Sequence, residues 1–185
     1  MNQTYKKTNW ILVSAGVVVC LLMRLIPIRP PNIEPVFATE LPFAKVYGAS
    51  VGFLFGILSI LLYDIITGTL GPWTIVTSLT YGTIGLTAGY FFKKRDISRK
   101  NILLFTVGGT LFYDAITGLL VGPLLFHQPF IIALVGQIPF TILHLLGNAL
   151  FALIVSPALA TFLQSHKYTT RVRTQLSTPI IHSSL

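Results

Sequence analysis

The sequence predicts an all-α fold, a polytopic membrane protein built as a six-helix transmembrane bundle with both termini cytoplasmic. Three observations carry that expectation. Apolar residues make up 53% of the chain and charged residues 10%, whereas a soluble domain carries about 25% charged residues. The 185 residues leave room for five or six spans of about 20 residues each and little else. Ten of the thirteen basic residues fall in three clusters: Lys6 and Lys7; Lys93, Lys94, Arg95, Arg99 and Lys100; and Lys167, Arg171 and Arg173. Each cluster abuts an apolar segment, the pattern that the positive-inside bias leaves at cytoplasmic helix ends.

That placement accounts for the net charge of +8 without a nucleic-acid partner. A lone cysteine, Cys20, rules out a disulfide framework. Residues 1–9 read as a cytoplasmic N-terminus and 165–185 as a polar cytoplasmic tail, with the membrane domain, 10–164, between them. Lys6 and Lys7 precede an apolar run as in a signal peptide, but no small-residue cleavage site comes after it, so residues 10–26 are expected to stay as helix 1. Pro27, Pro30 and Pro31 then forbid helix. The stretch 28–41, with the acids Glu34 and Glu40, reads as an extended surface loop.

The apolar stretch 36–66 is too long for one perpendicular span. If every basic cluster is cytoplasmic, an even number of crossings separates Lys7 from Lys93. Division near Gly48 into helix 2 (35–47) and helix 3 (49–66) satisfies that parity, the alternative being one kinked helix. Helix 4 is expected over 74–92 and helix 5 over 102–121. Residues 122–137, with Pro123 and Pro129, read as an outer loop with a partly inserted stretch, and helix 6 as 138–164, with Pro139 in its first turn.

One repeat stands out. Leu62-Tyr63-Asp64-Ile65-Ile66-Thr67-Gly68 matches Phe112-Tyr113-Asp114-Ala115-Ile116-Thr117-Gly118 at five of seven positions, in one orientation, as a parallel duplication would give. A carboxylate inside a span costs at least roughly 2.5 kcal/mol, so such residues face a cavity or a partner. Asp64 and Asp114 therefore either line a pocket or cap the Thr-Gly turn after each.

Gln137, Thr141, His144 and Asn148 share one face of helix 6 at 3.6 residues per turn. A polar stripe in a span suits a polar ligand, because each group needs a partner away from water. The competing reading is hydrogen bonding that holds helices together. On helix 4, Trp73 fits an interfacial belt, and Tyr81, two turns deeper, is the better pocket candidate. Gly48, Gly52 and Gly56 form a small-residue ladder, as Gly85 and Gly89 do, and Gly16 a shorter face. Such surfaces either pack within the bundle or dock another membrane subunit. No phosphate-cradling Gly-x-x-x-x-Gly-Lys-[Ser/Thr] loop occurs, and no metal-ligand spacing. No catalytic residue, metal or cofactor is expected.

Taken together, the Leu25-Ile26-Pro27 ending of helix 1, the Pro-rich loop, Leu41-Pro42-Phe43, the Gly-rich helix 3 ending in Tyr63-Asp64, Gly71-Pro72-Trp73 and the basic turn Lys93-Lys94-Arg95 resemble the substrate-binding S component of an energy-coupling factor (ECF) vitamin transporter, in the riboflavin-type layout. The resemblance implies a non-enzymatic vitamin-binding subunit of a prokaryotic plasma membrane. Its energy would come from a membrane T component and two cytoplasmic ATPase subunits. It further implies that Tyr81, Asp114, Gln137, Thr141, His144 and Asn148 contact the ligand. Asn32 and Glu34 would lie on a lid, and Gly16, Gly48, Gly52 and Gly56 would face the T component. Three rivals are a stand-alone secondary transporter or channel, an intramembrane aspartyl protease in which Asp64 and Asp114 share a proton, and a purely structural scaffold that binds no small molecule.

Overall fold

A computed structural model describes residues 8–27 and 34–177, with side chains through residue 167. Six helices run through these residues: α1 Trp10–Arg24, α2 Pro35–Tyr47, α3 Ala49–Thr67, α4 Pro72–Lys93, α5 Arg99–Phe126 and α6 Phe130–Ser177. No strand occurs among them. By length and composition α3, α5 and the Phe130–Lys167 part of α6 are apolar enough to cross a membrane. α4 carries six serine and threonine hydroxyls, and five of them are satisfied within the helix. Thr77, Ser78, Thr80, Thr83 and Thr87 each donate to a carbonyl three or four residues back.

Local chemistry sets the helix ends. Asn9 caps α1, its side-chain oxygen accepting from the Leu12 amide at 3.2 Å. Pro35 opens α2 and Pro72 opens α4. Gly48 (φ 105°) separates α2 from α3, and Gly68 (φ 69°) ends α3, conformations that favour glycine. The Ser98 hydroxyl caps α5.

α2 is the hub. Eleven of its thirteen residues are buried, so it is enclosed on every side, as a helix apolar all round must be. Pro42 lies inside it and lacks the amide that would serve the Ala38 carbonyl. Ser156 of α6 donates to that carbonyl at 2.8 Å. α3 and α4 cross backbone to backbone, where a Cβ on Gly52 would come within 2.3 Å of the Gly85 carbonyl oxygen. Large apolar side chains such as Ile131, Ile142, Leu146, Leu150 and Ile154 of α6 face outward, as a lipid-facing surface requires.

Three expectations need correction. The stretch 122–137 is mostly helical. α5 passes through a π-helical turn, Thr117–Val121, and continues to Phe126, and the chain breaks only at His127–Pro129. α6 then begins eight residues before 138 and continues past 164 to Ser177, because Pro139 and Pro157 are accommodated inside it. Glu40 belongs to no surface loop; it sits in the middle of α2 at 1% exposure.

Among the described residues, the basic side chains other than Arg24 collect at one end. Lys45 donates to the Phe92 and Arg95 carbonyls at 2.6 and 2.8 Å, Lys167 donates to the Val46 carbonyl, and Asn9 meets His166 at 3.3 Å. The start of α1, the α2–α3 and α4–α5 junctions and residues 166–167 of α6 therefore share this end.

Candidate ligand site

The polar groups gather in the other half of the bundle. α5 and α6 run antiparallel, and their polar residues meet in register. His144 Nδ1 lies 2.7 Å from Asp114 Oδ1, Asn148 donates to Thr110 at 3.0 Å, and the Gln137 amide rests on Gly118, where a Cβ would lie 1.8 Å from its oxygen. Gln137 also donates to Thr141 at 3.1 Å. All four stripe residues thus face inward or sit half-buried, with His144 and Asn148 at 1% and 0% exposure. Part of the stripe does join helices. The rest is unmet: Asp114 Oδ2, His144 Nε2 and Asn148 Oδ1 are buried with no hydrogen-bond partner among the described residues. A buried polar atom left so costs about 1–3 kcal/mol, which demands an explanation.

Aromatic rings extend this seam across the bundle. The Tyr113 ring is 5.6 Å from His144 and 4.6 Å from Tyr81, which meets Phe37 of α2 at 5.6 Å. Phe140 packs on the other side of His144 at 5.4 Å. The Tyr81 hydroxyl is buried and also lacks a partner among the described residues. Within electrostatic reach of both tyrosines lie Arg24 and Glu34. These two form an ion pair at 3.4 Å that links the end of α1 to the start of α2. The Arg24 guanidinium also covers the Tyr63 ring at 4.2 Å and donates to the Ser59 carbonyl at 3.2 Å. Six helices therefore contribute to one polar and aromatic region. Its groups can stack on a flat ring and offer hydrogen bonds at its edge.

The two copies of the repeat diverge. Asp64 accepts from Thr74 at 2.5 Å and from Thr69 at 3.4 Å, so it braces the α3–α4 turn. Asp114 has no turn to brace and pairs with His144. Each acid has its own partners, which removes the shared-proton geometry an aspartyl protease needs. Trp73 reaches the Thr69 carbonyl and packs on Phe126, at the surface.

Three of the four glycines expected to face a partner lie against residues of this chain. Gly52 and Gly56 meet Gly85 and Tyr81 of α4, and Gly16 meets the Phe43 and Phe55 rings. These faces are consumed inside the chain. Gly48 is a turn residue with open space around it. Asn32 lies outside the described residues. Sequence reasoning missed Arg24, Thr110, Tyr113 and Glu40. Thr106, Thr110, Asp114 and Gly118 recur every four residues, a helical stripe that periodicity could have found. The insertion cost applied to Asp64 would equally have flagged Arg24 and Glu40.

The sequence profile of the family described as the ECF-type riboflavin transporter, S component, matches residues 3–161. A UPF0397 protein of Lactobacillus helveticus is 37% identical over 103 residues, 53% of this chain and 54% of that protein. A UPF0397 protein of Streptococcus agalactiae is 38% identical over 86 residues, 44% of this chain and 46% of its own. The chain thus spans about half the length of the curated relatives it matches. No solved structure matches it. With the profile match covering nearly the whole chain, this membrane protein belongs to the family of ECF-type riboflavin transporter S components.

Proposed function

We propose that the chain is the membrane-embedded binding subunit of a vitamin uptake system, and that it holds a flat heteroaromatic vitamin, riboflavin being the first to test. A separate T component and two cytoplasmic ATPase subunits would supply the energy. The single observation that carries this reading is the set of four buried atoms with no partner among the described residues, Tyr81 Oη, Asp114 Oδ2, His144 Nε2 and Asn148 Oδ1. They border aromatic rings in tilted and edge-to-face contact, in a chain of this family. A guest that accepts and donates along its edge satisfies them, while the rings of Tyr81 and Tyr113 cover its face. The basic end of the bundle would face the cytoplasm, leaving the polar region toward the outside.

Riboflavin is fluorescent, and stacking on tyrosine quenches it, so titration of the purified protein reads binding directly. Saturable quenching at one ligand per chain supports the reading. Tyr81→Phe should weaken it by about tenfold, the value of one hydrogen bond of about 1.4 kcal/mol. Absence of quenching, together with no small molecule retained in native mass spectrometry, overturns it. A different vitamin found bound would keep the role and replace the ligand.

A further inference from the structure

A second feature lies on the outside of the bundle, away from the ligand site. α4 and α5 splay apart above their connecting loop, leaving an open groove of about 390 Å³. Thr83, Thr87 and Phe91 of α4 line one wall, and Leu104, Gly108 and Phe112 of α5 the other. Leu104 and Phe112 are 59% and 44% exposed, and a Cβ on Gly108 would meet nothing within 4 Å. The wall makes no demand for polar contact, because the Thr83 and Thr87 hydroxyls already donate to the Leu79 and Ile84 carbonyls. From residue 83 to residue 91 the groove runs about 12 Å along α4, close to the roughly 15 Å depth of one leaflet's hydrocarbon.

Its mouth is positively charged. Arg95 sits with its guanidinium 4.3 Å from the centre of the Phe91 ring, the last groove residue on α4. Lys93, Lys94, Arg99 and Lys100 flank it, all exposed, against the single acid Asp96. Basic residues beside a gap between membrane helices suit an anionic lipid headgroup. We propose that this groove seats an acyl chain of an anionic phospholipid whose headgroup rests on Arg95, Arg99 and Lys100.

The test is native mass spectrometry of the purified full chain with phosphatidylglycerol or phosphatidylcholine of identical acyl chains. The wild type should retain phosphatidylglycerol at least tenfold better. Arg95→Gln, Arg99→Gln and Lys100→Gln combined should erase that preference, each charge contributing about fivefold. Gly108→Leu, which fills the open groove, should lower retention of both lipids. Thr87→Leu does the same from the opposite wall, should the glycine variant fail to fold. Equal retention of the two lipids by the wild type, or an undiminished preference in the triple variant, overturns the proposal. So does unchanged lipid retention in a folded groove-filling variant. If such a variant instead loses a co-purifying membrane protein while keeping its lipid, the groove is a protein contact and the proposal fails.

Discussion

Asp64 and Asp114 hold equivalent places in a repeated seven-residue segment and acquire unrelated partners, because the chain continues differently after each copy. Gly68, in the left-handed conformation, ends α3, and Pro72 then opens α4, which brings Thr74 back onto Asp64 together with Thr69. After Gly118 come Leu119, Leu120 and Val121, and the helix continues through a π turn. Asp114 then meets only what α6 brings, which is His144. The Thr of each copy behaves alike, Thr67 bonding the Tyr63 carbonyl and Thr117 the Tyr113 carbonyl, both at 2.8 Å. His144→Leu strands the Asp114 carboxylate in the interior and should destabilise the protein by about 3 kcal/mol or more, read as a lower Tm in detergent. Combining it with Asp114→Leu should recover most of that loss, since a well-packed apolar pair often replaces a buried polar pair at little cost. Ligand quenching should stay lost in both variants. Recovery of binding with stability would make the pair a brace only.

At the scale of helices, close approach separates one glycine from another. A Cβ on Gly85 would lie 2.0 Å from Glu40 Oε1 and 2.3 Å from the Gly52 carbonyl oxygen. Gly85→Ala should therefore force α3 from α4 and cost at least about 2 kcal/mol. Gly108→Ala meets open space and should stabilise α5 by about 0.5–1 kcal/mol through its helix propensity. Thermal melting of the two variants, run side by side, reads the contrast. The Ser156–Ala38 bond allows a second test. Ser156→Ala leaves the carbonyl freed by Pro42 unserved, at a cost of about 1–3 kcal/mol. In a Pro42→Ala background the restored amide serves that carbonyl, so the same change should cost less, a coupling that a double-mutant cycle measures. Additivity would show that Ser156 does not compensate for the proline. The glycine ladder was readable as a close-packing surface, but which helix it met was not. Small-residue spacing encodes distance of approach, whereas the partner is fixed by the fold. Glu40 was misread because the proline-based loop was carried to residue 41, whereas Pro35 opens an enclosed α2 that holds it.

For the whole molecule, composition and basic clustering made the helical bundle legible, because both report on the solvent around the chain. The α6 stripe was legible too, since a helix prints its polar face at fixed spacing. The opposing wall was harder to read: Thr110 and Tyr113 acquire meaning only when α5 lies antiparallel to α6, and Arg24 only when Glu34 folds back onto it. That assembly is asymmetric from end to end. The polar half holds the unpartnered groups of the α4–α6 seam, whereas the basic half is filled with packed aromatic rings and leaves the buried Tyr47 hydroxyl without a partner among the described residues. Phe43 stacks between Tyr47 and Phe55 at 6.1 and 5.0 Å, Phe91, Phe92 and Phe105 pack together, and Lys45 and Lys167 tie loop and helix carbonyls across the end. A guest entering from the polar half meets this plug, and passing it would break many packed contacts at once. Binding alone does not supply that work, because a ligand shifts a conformation only by its differential affinity for the two states. Reconstituted by itself in vesicles, the chain should therefore bind up to one ligand per molecule and accumulate none. Uptake should appear when T and ATPase subunits are added, and should require ATP. Accumulation by the chain alone under a proton gradient would make it a secondary transporter, with the plug opening without partners.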